Sequence, residues 1–293
     1  MKADLYVCDD TFKYNGSDSV ADVKRKLSDF LIMIDEIRKY KEENCLYLVK
    51  ENFGKTVAFG DRKTINDIIS DYESSTLLYG KDVLTLFMGI FKHCKSTQVS
   101  LNDVKEYLAM EDDKNCSAIL VLNPLDGYQE HIQVLSSVGG WLKFRRHFLA
   151  KYPGDEEFFL SESEKYFPDL RIHKNTKDTL GEVLASHHEK IVTYLSVLND
   201  FLIMEFKASG GRDFVSFLTK FAGDHQLEGA SFEGTKLDKF NFIFPDGTEA
   251  YCEPHLKMFT DDSGNKNQHC RIHFKKPLEN ESIVYVGCIC KHL

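Results

Sequence analysis

No apolar stretch of this chain is long enough to span a bilayer: the longest, residues 83–91, falls well short of the roughly 20 residues a membrane helix needs. Met1-Lys2-Ala3-Asp4 has no signal-peptide architecture, so the expectation is a cytoplasmic protein with no membrane partner. Walker loop, GxGxxG fingerprint and GxSxG elbow are all missing, which leaves nucleotide hydrolysis, dinucleotide redox chemistry and α/β-hydrolase chemistry without support. His187-His188-Glu189 lacks the i, i+4 histidine pair of a helical zinc site. Internal repeats and low-complexity segments are missing too.

What is present is the composition of a globular protein, 42% hydrophobic and 28% charged over 293 residues, enough for two ordinary domains. The net charge of −9 is uneven. From His255 onward six Lys or Arg face four Asp or Glu, a local +2, leaving −11 for the residues before it. Such a tail tolerates a phosphate backbone better than the remainder does. Eight cysteines without an export signal read as reduced thiols. Cys8, Cys45, Cys94 and Cys116 are scattered, whereas Cys252, Cys270, Cys288 and Cys290 lie in the last 42 residues.

Hydrophobic spacing predicts an α+β protein. A strand at 4–8, a turn at Asn15-Gly16, a helix from about 19 to 42 and a strand at 46–49 give an α/β opening. Helices follow near 63–73, 82–95 and 101–110, the last with Ser100 as N-cap, then a buried strand at 117–122. A long helix is expected from Gln129 toward Lys151, interrupted by Gly139-Gly140 and stopped by Pro153. Residues 154–207 carry a helical stripe through Leu180, Leu184, Ile191, Leu195, Leu198, Leu202 and Phe206, and Gly210-Gly211 breaks it. After a short helix at 213–222, four strands are readable at 239–244, 249–259, 268–275 and 282–290, separated by turn chemistry. The expected division is an acidic α/β and helical part, 1–209, that senses or interacts, and a small antiparallel β-meander, 210–293.

The chemistry concentrates in that meander. His255 and Lys257, then His269, Arg271 and His273 with Lys275 beyond, fall on alternate residues, so one sheet face gathers imidazoles and cations while Leu256, Met258, Ile272 and Phe274 face away. Lys291 and His292 add a basic end to the last strand. Metal-free phosphodiester cleavage needs a base, an acid and fixed positive charge, which these residue types supply. RNA carries its own nucleophile in the 2′-hydroxyl, and Arg271 can hold two phosphate oxygens at once. The plainer reading of the same alternation is the polar face of a half-exposed sheet.

Other constellations compete. Cys252-x-x-His255 and Cys288-x-Cys290-x-His292 offer zinc ligands, but Cys252 and His255 differ in parity and Cys270 alternates with core residues. Parity thus separates the cationic face from cysteines of its own strands. Asp200 with Glu205 and Lys207 suggests a metal-dependent nuclease, although the segment reads as a helix end. Lys143-Phe144-Arg145-Arg146-His147-Phe148 reads either as a partner surface or as a solvated helix face with its aromatics inward.

Leu256-Lys257-Met258, a polar hairpin, Arg271-Ile272-His273-Phe274, a second turn, and 283–287 running to Lys291-His292 together resemble the closing strands of the RelE/ParE-type toxin fold, especially its HigB-like branch. The resemblance covers about 80 residues. It implies a helical segment before an antiparallel sheet and metal-independent mRNA cleavage with no cofactor. Arg271 would bind phosphate, Lys257 would be a second cation, and Lys291 with His292 the basic strand end. His273 as general acid or base follows from its neighbours, with His269 and His255 beside it. A toxin or phage-defence ribonuclease is the expectation, with RNA or another nucleic acid and a protein as partners; a non-catalytic binding subunit is the alternative.

Overall fold

A computed structural model describes the chain except for residues 15, 17, 59–62, 111–114, 124–130, 212, 235–237, 260–268, 292–293 and the side chain of Asn115. The protein is α+β and divides into two compact units, Met1–Phe144 and Arg145–Leu293. Among the described residues no helix is long and apolar enough to cross a membrane.

The first unit is an open parallel sheet. Its strands are β1 (Lys2–Cys8), β2 (Asn44–Val49), β3 (Lys95–Ser96), β4 (Asn115–Leu120) and β5 (Val134–Leu135), in the order β3-β2-β1-β4-β5, with every pair parallel. That is a doubly wound order, which reverses between β1 and β4. Central β1 is buried on both faces: Tyr6 and Cys8 pack with Val104, while Leu5 and Val7 fill the other side. Connecting helices are α1 (Val20–Arg38), α2 (Ile65–Ser70), α3 (Tyr72–Tyr79), α4 (Lys81–His93) and α5 (Leu101–Ala109). Ser19 with Asp22, Thr64 with Asp67 and Ser100 with Asp103 close capping boxes that fix the starts of α1, α2 and α5.

The helix expected from Gln129 begins later. Gln129 itself lies outside the described residues, Val134–Leu135 is strand β5, and α6 (Val138–Lys151) starts after Ser137, whose hydroxyl accepts the Gly140 N–H at 3.1 Å. Gly139-Gly140 therefore occupies the first turn, where few helical hydrogen bonds depend on it.

In the second unit come α7 (Glu156–Tyr166), β6 (Leu170–Ile172), α8 (Thr176–Leu180) and α9 (Leu184–Val197). A π-helical turn, Leu198–Leu202, joins α9 to α10 (Ile203–Ala208), and α11 (Phe214–Asp224) follows. Gly210-Gly211 is a helix cap rather than a linker: Gly210 N–H bonds to Lys207 O, Gly211 N–H to Phe206 O, and Gly210 has φ +79°. This is a Schellman motif, which needs the left-handed residue that glycine supplies. The break expected at 209 thus falls inside a unit.

Its sheet runs β6-β12-β11-β10-β7, with β7 (Ala230–Ser231), β10 (His255–Met258), β11 (Cys270–Phe274) and β12 (Val284–Lys291). Strands β10, β11 and β12 form the expected antiparallel meander, but β6 adds in parallel to β12, so the sheet is mixed. The hairpin at 260–267 lies outside the described residues. The strand expected at 249–259 splits into β9 (Glu249–Tyr251) and β10, because Pro254 between them has no N–H for a ladder. β9 pairs instead with β8 (Asn241–Ile243) in a separate two-stranded sheet. The helical stripe finds its partner here: Leu180, Leu184, Ile191, Leu195, Leu198, Leu202 and Phe206 share one core with Leu256, Met258, Ile272, Phe274 and Ile289. That shared core is why residues before 209 belong to the same unit as the meander.

Candidate functional site

Opposite the helices, register builds a polar grid. His255 stands across from His273, and His273 across from Cys288; Ser231 of β7 completes this row on the far side of His255. The next row is Lys257, Arg271 and Cys290. Directly opposed residues of antiparallel strands share a face. A β-bulge at Gly287 shifts the register between His273 and Phe274 and sets Cys288 beside His273.

This face is largely covered. His273 is 0% exposed, His255 1% and Arg271 8%. Phe240 stacks on the His273 ring at 4.8 Å, and the His255 and His273 rings lie 4.7 Å apart. Glu233 accepts a hydrogen bond from Arg271 Nη1, and the same Glu233 oxygen is 3.7 Å from His255 Nδ1. Burial pushes His255 down to about 4 and His273 down to about 3; Arg271 nearby adds to both shifts, and His255 to that of His273. Both imidazoles are neutral at pH 7.

The hydrogen bonds fix which nitrogen of His255 is free. Nδ1 lies 3.2 Å from the Glu253 carbonyl, which can only accept, so Nδ1 carries the proton and Nε2 takes the Ser231 hydroxyl at 3.1 Å. Neither nitrogen of His273 makes a hydrogen bond among the described residues, although the Cys252 and Glu253 backbone lies near enough to favour its charged form weakly. Cys288 Sγ and Cys290 Sγ are 3.7 Å apart. Their hydrogen bond raises Cys288 and lowers Cys290, with Arg271 also favouring the Cys290 thiolate.

Of the residues singled out from sequence, His255, Lys257, Arg271 and His273 come together. Two others do not. His269 precedes β11 and sets its ring edge-on to Phe259 at 4.9 Å. Lys291 pairs with Cys270, on the helix-facing side, and reaches Glu182 at 3.7 Å. His292 lies outside the described residues, and Lys275 is held by Glu281. Cys270 lies in the helix-facing core, as its parity implies, whereas Cys288 and Cys290 enter the polar face from the neighbouring strand. Sequence reasoning also missed Ser231, Glu233 and Phe240. The alternation of Cys288 and Cys290 was visible, but only the bulge at Gly287 sets their register.

The other constellations resolve into structural pairs. Arg146 donates to both Asp200 oxygens at 3.0 and 2.8 Å, and its guanidinium lies over the Phe167 ring, so Asp200 is already engaged; Glu205 meets His225 at 3.0 Å. Arg145 and Arg146 are buried, neither a partner surface nor a solvated face, while Trp141, Phe144 and Phe148 are buried as expected. At the β1/β4 reversal of the first unit, where open α/β sheets bind ligands, the polar groups satisfy one another. Asp9 accepts the Asn52 N–H, Asn123 Nδ2 donates to Thr11 O at 3.0 Å, and Lys26 joins Asn123 Oδ1 at 2.8 Å.

Comparison with protein-family models, curated proteins and solved structures finds no match for this chain.

Proposed function

We propose that the second unit acts on nucleic acid as a metal-independent ribonuclease, in the manner of the RelE/ParE-type toxins its closing strands resemble. The observation that supports this most is Arg271 gripping an anion, the Glu233 carboxylate, beside the neutral imidazole of His255. A phosphate displacing Glu233 would meet Arg271 and Lys257 on one row, the fixed charge that a phosphorane-like transition state needs. His255 Nε2 already accepts a hydrogen bond from the Ser231 hydroxyl, and a ribose 2′-hydroxyl in that place would lose its proton to the same lone pair. The 2′-oxygen then bonds to phosphorus, the P–O5′ bond breaks, and the leaving oxygen takes a proton from the half-exposed Lys257 ammonium. His273, sealed under Phe240, backs His255 rather than touching RNA. As an effector of toxin or phage-defence type, the chain would use its acidic first unit to sense or restrain.

The test is cleavage of RNA and of DNA in EDTA by wild type, Arg271→Ala and His255→Ala. RNA cleavage by wild type alone supports the proposal; activity equal in all three, or in none, removes the site. Activity lost only in EDTA transfers the chemistry to a metal. A second reading, a subunit that binds without cleaving, is favoured by the burial of both imidazoles beneath Glu233 and Phe240. RNA retained by wild type and released by Arg271→Ala, with no cleavage, would establish it.

A further inference from the structure

His273, Cys288 and Cys290 meet on the polar face with one ligand atom each within 4.8 Å of the others. Three features distinguish them from chance neighbours. The sulfurs stand 3.7 Å apart, and two thiolates about 2.3 Å from a tetrahedral zinc are separated by about 3.8 Å. His273 is fully buried with neither ring nitrogen hydrogen-bonded among the described residues, an arrangement a protein rarely leaves without a partner. Finally, the Gly287 bulge brings Cys288 opposite His273; a Cβ on Gly287 would lie 2.5 Å from Phe242 Cε2 and 2.8 Å from Cys252 Cβ, so only glycine fits that bend.

We propose that His273, Cys288 and Cys290 form a binding site for one divalent cation of borderline softness, zinc above all. Two thiolates and an imidazole are zinc's preferred donors, and they neutralise its charge, which suits a buried place. Among the described residues no fourth His, Cys, Asp or Glu atom joins all three, so the remaining position takes water. Binding displaces the thiol protons, including the one in the Cys288–Cys290 hydrogen bond. The cation ties β11 to β12 behind His255 and leaves His255 and Arg271 free. The site does not rest on the ribonuclease reading: it concerns metal content, and RNA cleavage concerns the neighbouring row.

The experiment uses the full chain, purified under reducing conditions without chelator, with metal analysis and then titration of the stripped protein with Co²⁺. One equivalent of metal per chain and a cobalt spectrum with thiolate charge-transfer and tetrahedral visible bands are expected. Cys290→Ser and His273→Gln, close in volume to the native residues, should weaken cobalt binding at least about 100-fold, while Cys270→Ala, on the opposite face, should keep it. Circular dichroism separates ligand loss from unfolding. A reduced, folded wild type that holds no metal and gives no cobalt spectrum overturns the proposal, as does a Cys288–Cys290 disulfide in the freshly isolated chain. Binding that Cys270→Ala abolishes and Cys290→Ser retains overturns it equally.

Discussion

Replacing Glu233 by Gln removes the charge that holds Arg271 and leaves a guanidinium, 9% exposed at its side chain, among His255, His273 and Cys290. Breaking a buried pair from one side costs about 3–5 kcal/mol because the remaining charge cannot rehydrate. Glu233 is 23% exposed and Gln keeps one hydrogen bond, so about 1.5–3 kcal/mol is expected here. In a unit of this size that lowers Tm by roughly 4–10 °C. Because the unneutralised guanidinium suits an oxyanion, which can displace the neutral Gln side chain, inorganic phosphate should reverse the loss. At 100 times its Kd it restores about 2.7 kcal/mol to the variant, while wild type, its site filled by its own carboxylate, responds little. Arg271→Leu should cost less than Glu233→Gln, since the freed carboxylate can turn to water. Hydrogen exchange at the amides of β10 and β11, with and without phosphate, reads the effect locally. A Glu233→Gln protein as stable as wild type and indifferent to phosphate would refute the idea that this face is built around an anion.

Asp9 offers a pH test in the first unit: burial raises its carboxyl to about 6 from an unfolded value of 3.8, so the folded state holds the proton more tightly and stability falls as pH rises through that window. Asp9→Asn should flatten the profile between about pH 4 and 6 and stabilise the unit above it by up to about 3 kcal/mol, read by urea denaturation at each pH. Arg146→Ala should cost about 2–3 kcal/mol, because Asp200, 29% exposed at its side chain, loses its cation but can turn to water while Phe167 loses its covering guanidinium; denaturant midpoints check it. Gly287→Ala should lower the melting temperature through overpacking of about 1–3 kcal/mol against Phe242 and Cys252.

Periodicity carried the elements further than their assembly. Alternation around His255 and Arg271 implied one polar face, and the register pairs His255 with His273 and Lys257 with Arg271 as a meander requires. The same alternation could not reveal that Cys288 and Cys290 enter that face, because their position depends on a bulge, nor that Glu233 and Phe240, which lie outside its strands, cover it. Gly210-Gly211 looked like a linker since a helix cap and a domain break use the same residue. The apolar stripe of α9 was legible, yet its target, the Leu256, Ile272 and Phe274 face, lies more than 60 residues on, and local pattern carries no record of such a contact. The parallel sheet of the first unit was readable as α/β strands and helices, but the order β3-β2-β1-β4-β5 is set by long-range pairing.

The most direct measurement is the chemistry of the cut ends. RNA incubated with wild type in EDTA, alongside the same oligonucleotide carrying a single 2′-deoxyribose at the cut position, should yield a 2′,3′-cyclic phosphate and a 5′-hydroxyl by mass spectrometry. The deoxy substrate should remain intact at that position, and Arg271→Ala should yield neither product. Cleavage of the deoxy substrate at the same bond, or products ending in a 5′-phosphate, would contradict a mechanism in which His255 deprotonates the 2′-hydroxyl beside Arg271.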